Sequence, residues 1–307
     1  MRILLIGASG AVGIHLTRQL AAQDHEVTGT CRSAASKGKI RAAGATPLVL
    51  DVLDAAATRS AVAGTRPDAV ICQATALAGA RFGRSLDKTF GPTNRLRTEG
   101  TANVIAAVQS AGVRRLVAQS FAPYRYASPG PVAAEDDPLL ATPPASAAQT
   151  FAAMTSLDEA VTAAGGIALR YGGFYGEPDQ MTAAVARRRY PLVGDGRAMM
   201  SFIHLHDAAS AAVAALEADG PAIYNVTDDE PAPMREWLPA LAAALGAKPP
   251  RHVPEWAGRL AMGAGLDMMM QARGAANTKA RKELAWTPRY PSWRDGFGAI
   301  LGGQPAR

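Results

Sequence analysis

A chain of 307 residues with 48% apolar and 19% charged side chains can bury a sizeable core, which excludes global disorder. No apolar run is long enough to cross a bilayer, and "ILLIG", from Ile3, is too early and too short for a secretory signal, so no membrane partner and a cytoplasmic location are expected. The formal charge is +6, but the basic residues are scattered and the one compact run, Arg187–Arg189, has a single aromatic neighbour; a nucleic-acid partner is not expected, and a phosphorylated ligand suits the surplus better. Cys31 and Cys72 make no disulfide framework and lack metal-ligand spacing.

In chain order, "RILLIG" (2–7) predicts a buried strand that runs into "GASGAVG". Gly7, Gly10 and Gly13, with Ser9, Ala11 and Val12 between them, lie at the opening of a helix. One glycine permits a tight turn, another lets backbone approach a pyrophosphate, and a third lets the helix pack on the strand, while free N–H groups at the helix start attract the anion. A second strand, "EVTGTCR" (26–32), follows at the spacing this dinucleotide-binding turn requires. An acidic residue at its end would mark NAD; here stand Arg32 and Ser33, which suit a 2′-phosphate, so NADP is expected over NAD.

Further buried strands are predicted at 46–52, 68–75, 114–120, 167–172 and 222–228, with helices at His15–Ala22, Thr98–Ala111 and Phe151–Ala164 between them. The strand from 68 ends in Gln73, Ala74 and Thr75, expected at the cofactor. Such alternation argues for a doubly wound parallel α/β sheet. Residues 123–148 read as a proline-rich functional loop with an acidic cluster at Glu135–Asp137. After "SFIHLH" (201–206), Asp207 is a plausible N-cap for a helix over Ala208–Ala218. His204 and His206 with Asp207 lack a third spaced ligand, so no metal is expected. The Met-rich "LDMMM" (266–270) suits a pocket lid or a subunit contact.

Together, the Gly7–Gly13 turn, "LDV" at 50–52, "EGTANVIAAVQSAGVRRLV", "ALRYGGFYGEP", "SFIHLHDAASA", "YNVTDDEP" and "TKARKELAWTPRYPSWRDGF" resemble the extended short-chain dehydrogenase/reductase superfamily, in its epimerase/dehydratase branch, nearly end to end. The resemblance implies a Rossmann core over 1–170, completed by about 201–226, and a smaller substrate-binding lobe from 171–200 and 227–307. It places Asp51 and Val52 at the adenine. It also implies dimerisation through the helices 98–111 and 151–164, giving a possible homodimer.

The same resemblance implies a Ser or Thr that binds the reacting oxygen, a Tyr that exchanges a proton, and a Lys four residues later that lowers the Tyr pKa. Ser120 takes the first place. Counting back from Glu159, the other two places hold Phe151 and Thr155, and Arg97 replaces a common asparagine. Phenylalanine offers no proton and threonine no charge. Tyr124 and Tyr126, just past Ser120, are therefore the candidate surrogate acids. The expected activity is an NADP-dependent oxidoreductase or epimerase-like enzyme on a small carbonyl or hydroxyl compound, a nucleotide sugar or a natural-product intermediate. The alternatives are a non-catalytic NADP(H)-sensing protein and a non-redox lyase or isomerase.

Overall fold

A computed structural model describes residues 1–77, 85–127 and 130–302. All seven strands expected from the sequence form one parallel sheet: β1 (Arg2–Ile6), β2 (Glu26–Cys31), β3 (Thr46–Val49), β4 (Ala69–Cys72), β5 (Arg115–Phe121), β6 (Ile167–Tyr171) and β7 (Ala222–Val226), in the spatial order 3-2-1-4-5-6-7. Their continuous apolar runs follow from burial on both faces. Alternate residues of β1 point to opposite sides: Ile3 and Leu5 pack with Leu16 and Leu20 of α1 (Ala11–Ala22) and with Ala208 and Ala212 of the Leu205–Ala214 helix. Leu4 and Ile6 face Val62 of the Ala55–Thr65 helix and Val104 and Val108 of the Thr101–Ser110 helix. The result is a doubly wound α/β core.

Outside the sheet, Trp237, Trp293, Phe202 and Phe297 build a second apolar cluster, with edge-on ring pairs at 5.3 Å (Phe202–Trp237) and 5.5 Å (Phe202–Phe297). The loop after β5 keeps little regular structure beyond the short strand Val132–Ala133.

One helix start differs from expectation. His204, not Asp207, is the N-cap: its Nδ1 accepts from the His206 N–H at 3.0 Å. Asp207 lies inside the first turn, where its two oxygens accept from the Arg289 and Tyr290 N–H groups, both at 2.9 Å. Its carboxylate is drawn to two free donors of the C-terminal segment. Burial pushes the His204 imidazole down to about 4, and its ring stacks on Tyr290 at 4.0 Å. Among the described residues no group of side chains is arranged to hold a metal, and no helix is long and apolar enough to cross a membrane.

Candidate active site

The strand order reverses direction between β1 and β4, which opens a crevice at their carboxyl ends. Gly7 enters it with φ +82°, and a Cβ there would lie 2.8 Å from the Gln73 carbonyl carbon. At Gly13 a Cβ would sit 2.3 Å from the Gly7 carbonyl oxygen, so α1 reaches the turn only because residue 13 has no side chain. Gly10 is the N-cap of α1 and Ser9 lies half-buried beside it; no side chain caps the helix, which leaves its first N–H groups for an anion. Ala11 is exposed and Val12 buried against the core. Residues of this kind fit a dinucleotide's pyrophosphate.

The other expected cofactor residues gather at the same edge. Arg32 and Ser33 are exposed directly after β2. Asp51 is exposed, with Oδ1 accepting the Leu53 N–H at 3.0 Å, and Val52 is buried. Ala74 and Thr75 are half-buried after β4. Gln73 donates from Nε2 to the Tyr171 hydroxyl at 3.2 Å, while its Oε1 is buried without a donor, an unmet acceptor at the floor of the crevice.

Ser120 is the penultimate residue of β5, two strands away from β1, and is 1% exposed. Flanking it is the Ala148–Ala163 helix. Phe151 of that helix packs with Met154, Met268 and Tyr124, an apolar wall without a proton to give. The loop after Ser120 carries an unusual backbone: Tyr124 has φ +66°, a left-handed conformation that costs a non-glycine residue about 1–2 kcal/mol. Tyr124 is half-buried and lines, with Tyr126, Leu140, Met268, Gln271 and Arg273 among others, a cavity of about 90 Å³. Burial pushes its phenol above the ordinary value, with Tyr190 adding to the shift, so at neutral pH it can donate but not accept a proton.

Tyr126 does not share that exposure. It is 2% exposed, donates to Asn225 Oδ1 at 2.6 Å and accepts from Arg170 Nη1 at 3.0 Å. A hydroxyl engaged on both sides fixes the loop to β6 and β7.

The residue between the two tyrosines is the one that sequence reasoning missed. Arg125 is 1% exposed, and its Nη1 donates to Asp158 Oδ2 at 2.7 Å and, at 3.4 Å, to Ser120 Oγ and to the Phe121 carbonyl. Its Nη2 donates to Thr155 Oγ1 at 3.3 Å. A cation thus arrives from the loop at the threonine that stands where the resemblance puts a lysine. Arg170 Nε donates to the same Asp158 oxygen at 2.8 Å, and Asp158 Oδ1 has no donor. Arg97 adds a third buried guanidinium, pushed down to about 10 by burial and by the Arg125 charge. It lies on a π-turn, Leu96–Gly100, a helix irregularity frequent at functional sites. A larger cavity of about 170 Å³, lined by Arg114, Arg115, Asp219 and Gly220, lies at the opposite, amino end of β5 and β6, away from this chemistry.

Comparison with known proteins agrees with this architecture. A 3-diazoavenalumate denitrifying reductase from a Streptomyces species is 42% identical over 309 aligned residues, 97% of this chain and 99% of that protein. A 2-alkyl-3-oxoalkanoate reductase from Stenotrophomonas maltophilia is 31% identical, covering 80% of this chain and 76% of its own. The fold also matches UDP-glucose 4-epimerase from Thermotoga maritima at a TM-score of 0.77, with 18% identity and 98% and 97% of the two chains covered. Residues 3–227 match the family model described as the NAD dependent epimerase/dehydratase family, and with the glycine turn and sheet order above, this chain belongs to that family.

Proposed function

We propose that this NAD(P)-dependent oxidoreductase is an NADPH-dependent reductase that removes a diazo group from a small aromatic substrate as dinitrogen. The observation that carries the reading is the helix beside Ser120: Phe151 and Thr155 give it no proton donor. Reducing a carbonyl consumes a hydride and a proton. Reducing a diazonium carbon, R–N₂⁺ plus hydride to R–H plus N₂, consumes no external proton, so a site without an acid can still perform it. The 42% identical relative named for such a reaction supports the same class.

NADPH, when bound, supplies the hydride. Gly7, Gly10 and Gly13 would hold the pyrophosphate, and Arg32 and Ser33 would take the 2′-phosphate. Ser120 orients the substrate, and Phe151, Met268 and Tyr124 cover it with apolar surface that excludes water. Residues 171–200 and 227–302 would form the lobe that closes over it.

The test is incubation of the purified protein with NADPH and 3-diazoavenalumate, following cofactor absorbance and dinitrogen release together. One N₂ per NADPH consumed is expected, with NADPH favoured over NADH by at least about tenfold, a preference that Arg32→Glu removes. No N₂ release from any diazo arene would end the reading. A second reading, carbonyl reduction with the Tyr124 phenol as donor, is favoured by the Stenotrophomonas relative and by that residue's position in the cavity. It predicts ketone-dependent NADPH oxidation that Tyr124→Phe abolishes.

A further inference from the structure

We propose that Arg125 is a positioning residue that acts through Ser120, and that the pair selects a substrate carrying an oxyanion, a phenolate or enolate, beside its reacting carbon. The inference rests on the reductase reading of this cleft and names the substrate class for it.

Hydrogen-bond direction is the first argument. The guanidinium can only donate, so Ser120 Oγ must be the acceptor in the Arg125 contact. The serine proton then points elsewhere, and no described residue accepts it. A hydroxyl fixed in this way is a preorganised donor toward the cleft.

Charge is the second argument. Arg97, Arg125 and Arg170 are all less than a tenth exposed, and one fully buried carboxylate, Asp158, faces them. Glu135, partly buried, is attracted by both Arg170 and Lys279, and its Oε1 accepts the Asn225 N–H at 2.6 Å, so it offsets part of one of the three positive charges. Among the described residues the phenols of Tyr124 and Tyr126 flank Arg125 along the loop, and burial keeps both protonated. The buried charge around Ser120 is therefore positive, which favours an anion in the cleft.

The chemistry follows. In a diazo arene with an adjacent oxygen, hydrogen bonding at that oxygen draws the negative charge onto it and leaves the dinitrogen group as diazonium. Hydride from the reduced cofactor then bonds to the ring carbon as the C–N bond breaks, and N₂ leaves with that bond's electron pair, so the oxyanion is unchanged. A lysine on the helix would serve a phenol's proton exchange; a guanidinium, which stays protonated, serves only the charge.

The test needs no turnover. 4-Nitrophenol is titrated into the NADP⁺-saturated protein, and the visible band of its phenolate reports ionisation of the bound dye across pH. The wild-type protein is expected to prefer phenolate over phenol by at least about tenfold, lowering the bound dye's pKa by about one unit. Ser120→Ala and Arg125→Lys should each bring that preference to within about threefold of the free dye, since lysine lacks the fork that spans Asp158, Thr155 and Ser120. Thermal melts establish that both variants fold, and Ser120→Ala, a small truncation, keeps the test open should Arg125→Lys unfold. Binding of the neutral phenol, no binding at all, or an unchanged preference in the folded variants would overturn the proposal. A lowered dye pKa without diazo turnover would leave this inference standing and reject the hydride acceptor instead.

Discussion

Asp158→Asn should be one of the most damaging single substitutions in the chain. Asp158 is 2% exposed and its Oδ2 accepts from Arg125 at 2.7 Å and Arg170 at 2.8 Å. Asparagine keeps the shape but removes the charge, leaving Arg97 and Arg125 buried without a counterion and Arg170 with only the partly buried Glu135. Breaking a buried ion pair from one side costs about 3–5 kcal/mol, because a charge is left uncompensated in a poorly polarisable interior. For a chain of this size that lowers the melting temperature by about 10 °C. The i,i+4 pair Arg95–Glu99 is as short, 2.7 Å, but more than half exposed, so Glu99→Gln is the control and should leave the melt unchanged. Circular-dichroism melts of the two variants and the parent decide the matter. A loss below about 1 kcal/mol in Asp158→Asn would refute the reasoning, since it would mean that water or rearrangement already neutralises the three guanidiniums.

Gly13→Ala places a Cβ 2.3 Å from the Gly7 carbonyl oxygen and 2.8 Å from Ala8, so the turn must shift; calorimetry should show NADPH affinity reduced at least about tenfold, with a stability loss of about 1–3 kcal/mol. Thr155→Lys brings an ammonium to the place that the Arg125 Nη2 now reaches at 3.3 Å. Repulsion of about 2–4 kcal/mol at an effective dielectric near 20 should lower its melting temperature, and a ketone assay should detect no new activity. Asp228 is 1% exposed and burial pushes its carboxyl up to about 8 from 3.8. The native state then holds a proton that the unfolded chain has released, so stability falls as pH rises from about 4 to about 8, by at most about 1.4 kcal/mol per pH unit. Asp228→Asn should match the parent near the lower limit and exceed it in thermal melts near the upper one.

The sheet was legible because its strands are short apolar runs buried on both faces, and the glycine turn because phosphate binding, tight turning and close packing each demand a missing side chain at a fixed spacing. The catalytic surroundings were less legible. Arg125 lies 33 positions before Asp158, in a loop whose path depends on the left-handed backbone at Tyr124, and no periodicity announces such a path. A signal was nonetheless present on the partner's side. Thr150, Phe151, Met154, Leu157, Asp158 and Val161 form the buried stripe of one helix, and a carboxylate in an apolar stripe implies a buried cation elsewhere. The capping role given to Asp207 failed for a similar reason: its acceptors were claimed by Arg289 and Tyr290, more than eighty positions downstream, and a local motif cannot foresee a distant competitor.

The Arg125 guanidinium hangs from a connection, not from the helix that it addresses. A lysine four residues after a tyrosine is bound to that tyrosine by the helical pitch, so neither can be relocated without the other. A cation on the segment after Ser120 has no such bond to a phenol: rebuilding a handful of positions there, most of them buried, would withdraw or replace it while the Ala148–Ala163 helix stayed as it is.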